Sequence, residues 1–340
     1  MRFPILSFIF LATMQFPGST VLAEDFGLAK GYSSRVVVDG LCNPSSVSFH
    51  PDGWLTVCDS GHGRVLVVKG NQREEFATGF ETESWKVDAD TGTKRFLLGP
   101  LSSLWVDDET LAVTNSGLKD GQENVLFFSG AGSVETAKAT NSVGPTSDDP
   151  ADKGEGNLCG MSMSLDGKTL FVAGQGADAK TWILTVDVKT KKLSPKFSAD
   201  EVGVEINSPM DTMAWDKNSI LALYSGAGGK EDGLVIRWDI NSGKILSQWK
   251  LTGINDPMGF ARVGKTNDIV VVDNNWSLTE VLPGKLARVN LDTTDVKVIA
   301  TKLLGPVSCE FGPDGDLYIA QLGKQFDKEL GQVIAISGIK

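Results

Sequence analysis

Two histidines, His50 and His62, in a chain of 340 residues leave little room for imidazole acid-base or metal chemistry. No HExxH, CxxCH or Gly-x-Ser-x-Gly pattern occurs, which removes the common metalloprotease, haem-attachment and serine-hydrolase signatures. The 4 cysteines, Cys42, Cys58, Cys159 and Cys309, are too sparse to frame so long a chain, so any disulfide is an accessory. Cations are also short: 32 Lys and Arg against 43 Asp and Glu give a formal charge of −11, with no basic cluster to offset it. That balance disfavours nucleic acid and anionic membranes as partners. The longest apolar run, Phe3 to Met14, is interrupted by Gln15, Pro17 and Gly18 and is too short for a membrane span. With Arg2 before it and Val21-Leu22-Ala23 after it, it reads as a secretory signal peptide, residues 1–23, cleaved after Ala23. The chain is therefore expected to be secreted or periplasmic, to have no membrane span and to act as a monomer.

Glycine, by contrast, is abundant at 38 residues, and it punctuates short apolar segments, the pattern of many strands joined by turns. Residues 43–69, NPSSVSFHPDGWLTVCDSGHGRVLVVK, read as strand, Pro-Asp-Gly turn, strand, Gly-rich turn, strand. GPVSCEFGPDGDLYIAQLG, followed by GQVIAIS, repeats that plan over 305–337. Weaker copies begin near 99, 156, 208 and 256, and one slot holds Pro44, Pro100, Leu158, Pro209, Pro257 and Pro306 in turn. A step of roughly 50 residues accommodates four strands, so the fold expected over 24–340 is an all-β six-bladed β-propeller in one domain. Blades start near 43, 99, 157, 208, 256 and 305. The last unit has only three strands before the chain ends, whereas 34–41, SRVVVDGL, matches the fourth-strand segment 296–305. The N-terminal strand is thus expected to complete the last blade and remove a free edge.

Two connections are oversized: 80–98, an extra hairpin candidate about Ala89-Asp90-Thr91-Gly92, and the acidic stretch 146–157. Both open on the face where the turns after the second strands lie, and function is expected there. The acidic stretch lacks the alternating spacing of an EF-hand and reads as a solvated linker.

The segment 57–68, VCDSGHGRVLVV, resembles NHL-type propeller repeats, and 311–323, FGPDGDLYIAQLG, resembles secreted repeat proteins of the ScyD/ScyE type. More distantly, the chain is similar to the gluconolactonase and regucalcin propellers. That resemblance implies a calcium or zinc ion held at the channel mouth by a Glu, an Asn and an Asp. The corresponding positions here hold Cys42 of Cys42-Asn43-Pro44, Cys159 and Met210, so all three hard ligands are replaced. Asp211 follows one residue later and, on a regular strand, points to the other side.

Asp59, Asn115, Asp273 and Gln321 fill one slot at the ends of second strands, where such side chains cap the following turn. Together with Asn157, Asn207, Asn255, Asp256 and Glu310 near inner-strand starts, they also make a candidate polar cup at the channel mouth. Asp211, His62 in the first Gly-rich turn and Trp276 in a long later turn complete the candidate ligand-binding set, while His50 reads as a surface turn residue. The cup suits a small polar molecule, a glycan or a protein partner. The cup could take a divalent cation in the channel; the sulfurs of Cys159, Met210 and Met258, with Cys42 beside the first proline, are expected to pack between blades, and would select copper(I) only by converging on the channel. Three functions fit these features. They are a binding propeller, a metal-dependent lactonase or esterase built on Glu310, Asp211 and Asn207, and a structural envelope-associated repeat protein.

Overall fold

The computed structural model describes residues 26–87, 92, 94–130, 134–177, 180–277, 282–324 and 328–340; the signal peptide expected over 1–23 lies outside them. Six four-stranded antiparallel blades form a β-propeller. Their inner strands are Pro44–Phe49, Pro100–Trp105, Asn157–Met163, Ser208–Asp216, Pro257–Arg262 and Pro306–Phe311. The second strands carry unbroken apolar runs because both of their faces are covered. In Thr169–Gln175, for example, Leu170 and Val172 pack toward blade 2, while Phe171 and Ala173 pack toward blade 4. The core is accordingly six apolar clusters, one between each pair of neighbouring blades around the ring.

The ring closes as the sequence predicts. Ser33–Leu41 pairs with Gly331–Ser337 as the fourth strand of the last blade. Arg35 on that strand donates to Asp314 Oδ2 and to the Tyr318 hydroxyl, both at 3.0 Å. Upstream, Gly27–Leu28 adds a fifth strand to blade 5 by pairing with the end of Val296–Leu304, so the N-terminal segment covers two edges. Among the described residues, no helix is long and apolar enough to cross a membrane.

Two expectations need correction. The stretch 146–157 is not a solvated linker. Pro150–Lys153 forms a 3-10 turn, and the fully buried Glu155 accepts the Thr146 N–H at 2.7 Å. Lys153 lies over the Trp182 ring at 4.9 Å. Nor is His50 on the surface: it is 4% exposed, stacked on Trp54 at 4.2 Å and edge-on to Trp105. Its Nδ1 accepts the Asp52 N–H at 2.9 Å, which leaves Nε2 to donate to the Asp108 carbonyl at 2.9 Å, so the ring is a neutral structural brace. In both places a buried polar group meets a backbone partner: for His50 the Asp108 carbonyl of the next blade, for Glu155 the Thr146 N–H at the start of its own stretch.

Deleting 24–41 removes the last blade's outer strand, the Arg35 contacts and part of the cluster between blades 6 and 1. The truncated protein should lose roughly 10 °C or more of melting temperature, or fail to express in soluble form. A melt that matches the full chain by circular dichroism would overturn this closure.

Candidate functional site in the channel

Each inner strand carries a β-bulge just after its entry, seen as register shifts between Pro44 and Ser46, Pro100 and Ser103, Leu158 and Met161, Pro209 and Asp211, Pro257 and Gly259, and Pro306 and Ser308. A bulge re-aims side chains. It is why Met210 and Asp211, which would point to opposite sides of a regular strand, both face the channel.

The channel encloses a cavity of about 560 Å³. Its roof comes from the oversized connection, which forms the expected hairpin as a separate two-stranded sheet, Glu83–Val87 with Lys94–Leu98; Ala89, Asp90 and Thr91 lie outside the described residues. Trp85 and Phe96 of this hairpin meet Trp276 of blade 5, with ring centroids 5.7 Å and 6.2 Å from it. Asn43, at the entry to blade 1, holds the hairpin by accepting the Leu97 N–H on its Oδ1 at 3.0 Å. The hairpin therefore reaches over the mouth, past blade 6, to a loop of blade 5.

Below the roof the walls are soft and apolar. All five methionines among the described residues, Met161, Met163, Met210, Met213 and Met258, line the cavity, together with Leu97, Leu98, Leu101 and the thiols of Cys159 and Cys309. Burial, with Glu123 and Asp211 nearby, pushes the Cys159 thiol up to about 12, so it stays neutral. Cys42 is buried away from the lining.

Two carboxylates stand among these walls. Asp211 accepts the Thr212 N–H at 2.8 Å and the Phe260 N–H at 3.3 Å, thereby bridging blades 4 and 5. It fits because residue 160 of blade 3 is glycine; a methyl there would collide with Asp211 Oδ1. Desolvation pushes Asp211 up to about 7, and desolvation together with the Asp211 charge pushes Glu310 up to about 8. Ser46 Oγ, on a residue 6% exposed, faces the same cavity without a hydrogen-bond partner; the Cys58 thiol is its near polar neighbour.

Of the twelve residues singled out from the sequence, Asn157, Asn207, Asp211, Trp276 and Glu310 line this cavity. The others stand outside the lining. Asp59 Oδ1 accepts the Cys42 N–H at 2.8 Å, Asp273 accepts the Asn255 and Asp256 N–H groups at 3.0 and 2.9 Å, and Gln321 accepts the Leu304 N–H at 3.1 Å. These side chains cap backbone as expected, but on the segment entering their own inner strand and not on the following turn. Asn115 donates to Asn124, Asn255 to Asn275, and Asp256 accepts the Gly229 N–H. His62 Nδ1 lies 2.7 Å from the other oxygen of Asp59, beside Arg64, on the rim. Among the described residues no three His, Cys, Asp or Glu side chains converge as a metal cluster. The sequence reading missed the roof contacts of Trp85 and Phe96, Cys309 and Ser46; the apolar residues of the 80–98 insertion were the one available signal for the first two.

No protein-family model matches the chain, and no curated protein matches it by sequence. In fold it is similar to six-bladed propeller proteins. A gluconolactonase from Xanthomonas campestris is 11% identical at a TM-score of 0.58, with 91% of each chain covered. A putative oxidoreductase (glucose dehydrogenase) from Thermus thermophilus is 15% identical at 0.57, covering 90% of this chain and 100% of that one. The PQQ-bound aldose sugar dehydrogenase from Streptomyces coelicolor is 13% identical at 0.54, covering 91% and 99%. Likeness at this level is one of fold.

The raised carboxyls have a sign that can be measured. Their folded values lie above the ordinary carboxyl range, so their contribution to stability is complete below about pH 4 and is lost as pH rises through about 7 and 8. The Asp211→Asn, Glu310→Gln double variant should melt with the parent near pH 4, pull ahead of it progressively above that, and lead it by several kcal/mol at pH 8.5. Parallel melting curves across that range would show that the two groups are not desolvated.

Proposed function

We propose that this chain is an exported propeller that binds one small organic molecule inside its roofed channel. The observation that carries the reading is the conjunction of a concave cavity of drug-like size, an aromatic roof and a few polar groups in a methionine-rich wall. The wall is more apolar than the open polar cup read from the sequence, which favours a ligand with a substantial apolar body over a glycan. A sugar or sugar lactone, the substrate class named for three of the fold neighbours, would find hydrogen-bond partners in Asn157, Asn207, Ser46, Asp211 and Glu310 but would lie against Met and Leu.

A hydrolase is the second reading, and one observation favours it. Asp211 and Glu310 hold their protons near neutral pH inside a cavity, which is the condition of general acids and bases. Ester hydrolysis abolished by Asp211→Asn would support it.

The methionines make the binding reading testable, because labelled methyl groups at all five positions report directly on the channel. A fragment library with apolar cores should shift several of these methyl resonances together. Replacing 85–95 by a short Gly-Ser link should keep the ring folded, lower its melting temperature by a few degrees and weaken binding at least about tenfold, since it strips Trp85 and the tip from a sheet that belongs to no blade. Unfolding on that excision would make the hairpin core structure. Binding that leaves the methyl signals in place would move the site out of the channel.

A further inference from the structure

Among the described lining residues the channel holds two acids and no cation free to answer them. Arg262 is the one basic residue among the described lining residues, and its guanidinium is committed elsewhere: Nε donates to the Thr266 carbonyl at 2.8 Å, Nη1 to the Trp215 carbonyl at 3.0 Å, and the group lies 3.7 Å over the Trp215 ring. The titratable groups that do face Asp211 and Glu310 are the thiols of Cys159 on blade 3 and Cys309 on blade 6, both held neutral by burial. Ser46 adds a buried hydroxyl that lacks a partner. Such a chamber asks for an occupant that brings a positive charge and donors on one end and apolar surface on the other. Aromatic faces and thioethers suit the flanks of such a cation.

We propose that the channel's occupant is an organic ammonium ion with an apolar body, its ammonium seated against Asp211 and Glu310 and its body beneath Trp85, Phe96 and Trp276. The assignment rests on the small-molecule reading above and sharpens it to a charge type. It also couples binding to protons. In the empty channel the two carboxyls keep protons that an ammonium must displace, so affinity rises with pH from the acid side and levels above about 8.

The test uses the full mature chain with methyl-labelled methionine and two probes of matched shape, 4-phenylbutylamine and 4-phenylbutan-1-ol. The amine should move the channel methyl resonances and bind at least about tenfold more tightly than the alcohol at pH 8, and the preference should shrink severalfold at pH 5.5, where the amine is still charged. Asp211→Asn with Glu310→Gln should erase the preference and leave alcohol binding in place. Dispersed methyl signals certify that the variant is folded; if it is not, Glu310→Gln alone and the pH series in the parent carry the same comparison. Equal or tighter binding of the alcohol, with the methyl shifts retained, overturns the ammonium assignment and leaves the channel reading standing. Amine binding that bypasses the methionine methyls also overturns it, as attraction to the acidic surface alone. Failure of both probes to perturb the channel at millimolar concentration overturns both readings.

Discussion

Packing between blades is the interaction on which everything else in this molecule depends. No blade can bury both of its faces by itself, and each second strand is apolar on both sides. Six interfaces satisfy six blades only if the ring is complete. The interface between the last blade and the first includes Val38 and Leu41 of the N-terminal strand beside Val333 and Ala335, so chain ends far apart in sequence share one cluster. A closed ring of twisted sheets leaves an axial space between inner strands. The channel is thus a consequence of closure, and what lines it is left to the residues that face inward.

The ring was legible in the sequence because its signals are local and repeated. A Pro-Asp-Gly turn, a two-residue alternation and a proline at nearly every inner-strand entry recur together, and the N-terminal segment 34–41 looks like a fourth strand because it is one. The second-strand acids were legible as backbone caps, although not which backbone they serve: Asp59 reaches back to Cys42 because the end of the second strand lies beside the entry to its own inner strand.

What escaped was set by contacts across the ring. Asp211 was placed on the wrong side because a single-residue bulge after Pro209 leaves no mark in the alternation of the strand. Trp276 could be seen as an aromatic at a rim, but its partners, Trp85 and Phe96, come from another blade's insertion. His50 and Glu155 carry polar side chains in turn-like sequence and are nonetheless buried, each against a backbone group: the Asp108 carbonyl of the next blade in one case, the Thr146 amide brought round by the fold of its own connection in the other. Burial of a polar group is a property of a pair, and one member of the pair is not enough to foresee it.

The acids in the channel run against the logic of the rest of the core. In a ring held by six apolar interfaces, Asp211 bridges the Thr212 and Phe260 amides of adjacent blades at the cost of desolvating a carboxyl, in space cleared by Gly160. A Leu or Met there would match its neighbours and carry no desolvation cost. Charged-capable groups that weaken a fold belong, as a rule, to sites where something else makes use of them. Because Asp211 touches blades 3, 4 and 5 at once, any occupant that relieves its desolvation acts on three blades together. Binding energy supplied at this position would therefore be delivered to the ring itself, as any ligand that binds only the folded state stabilises it.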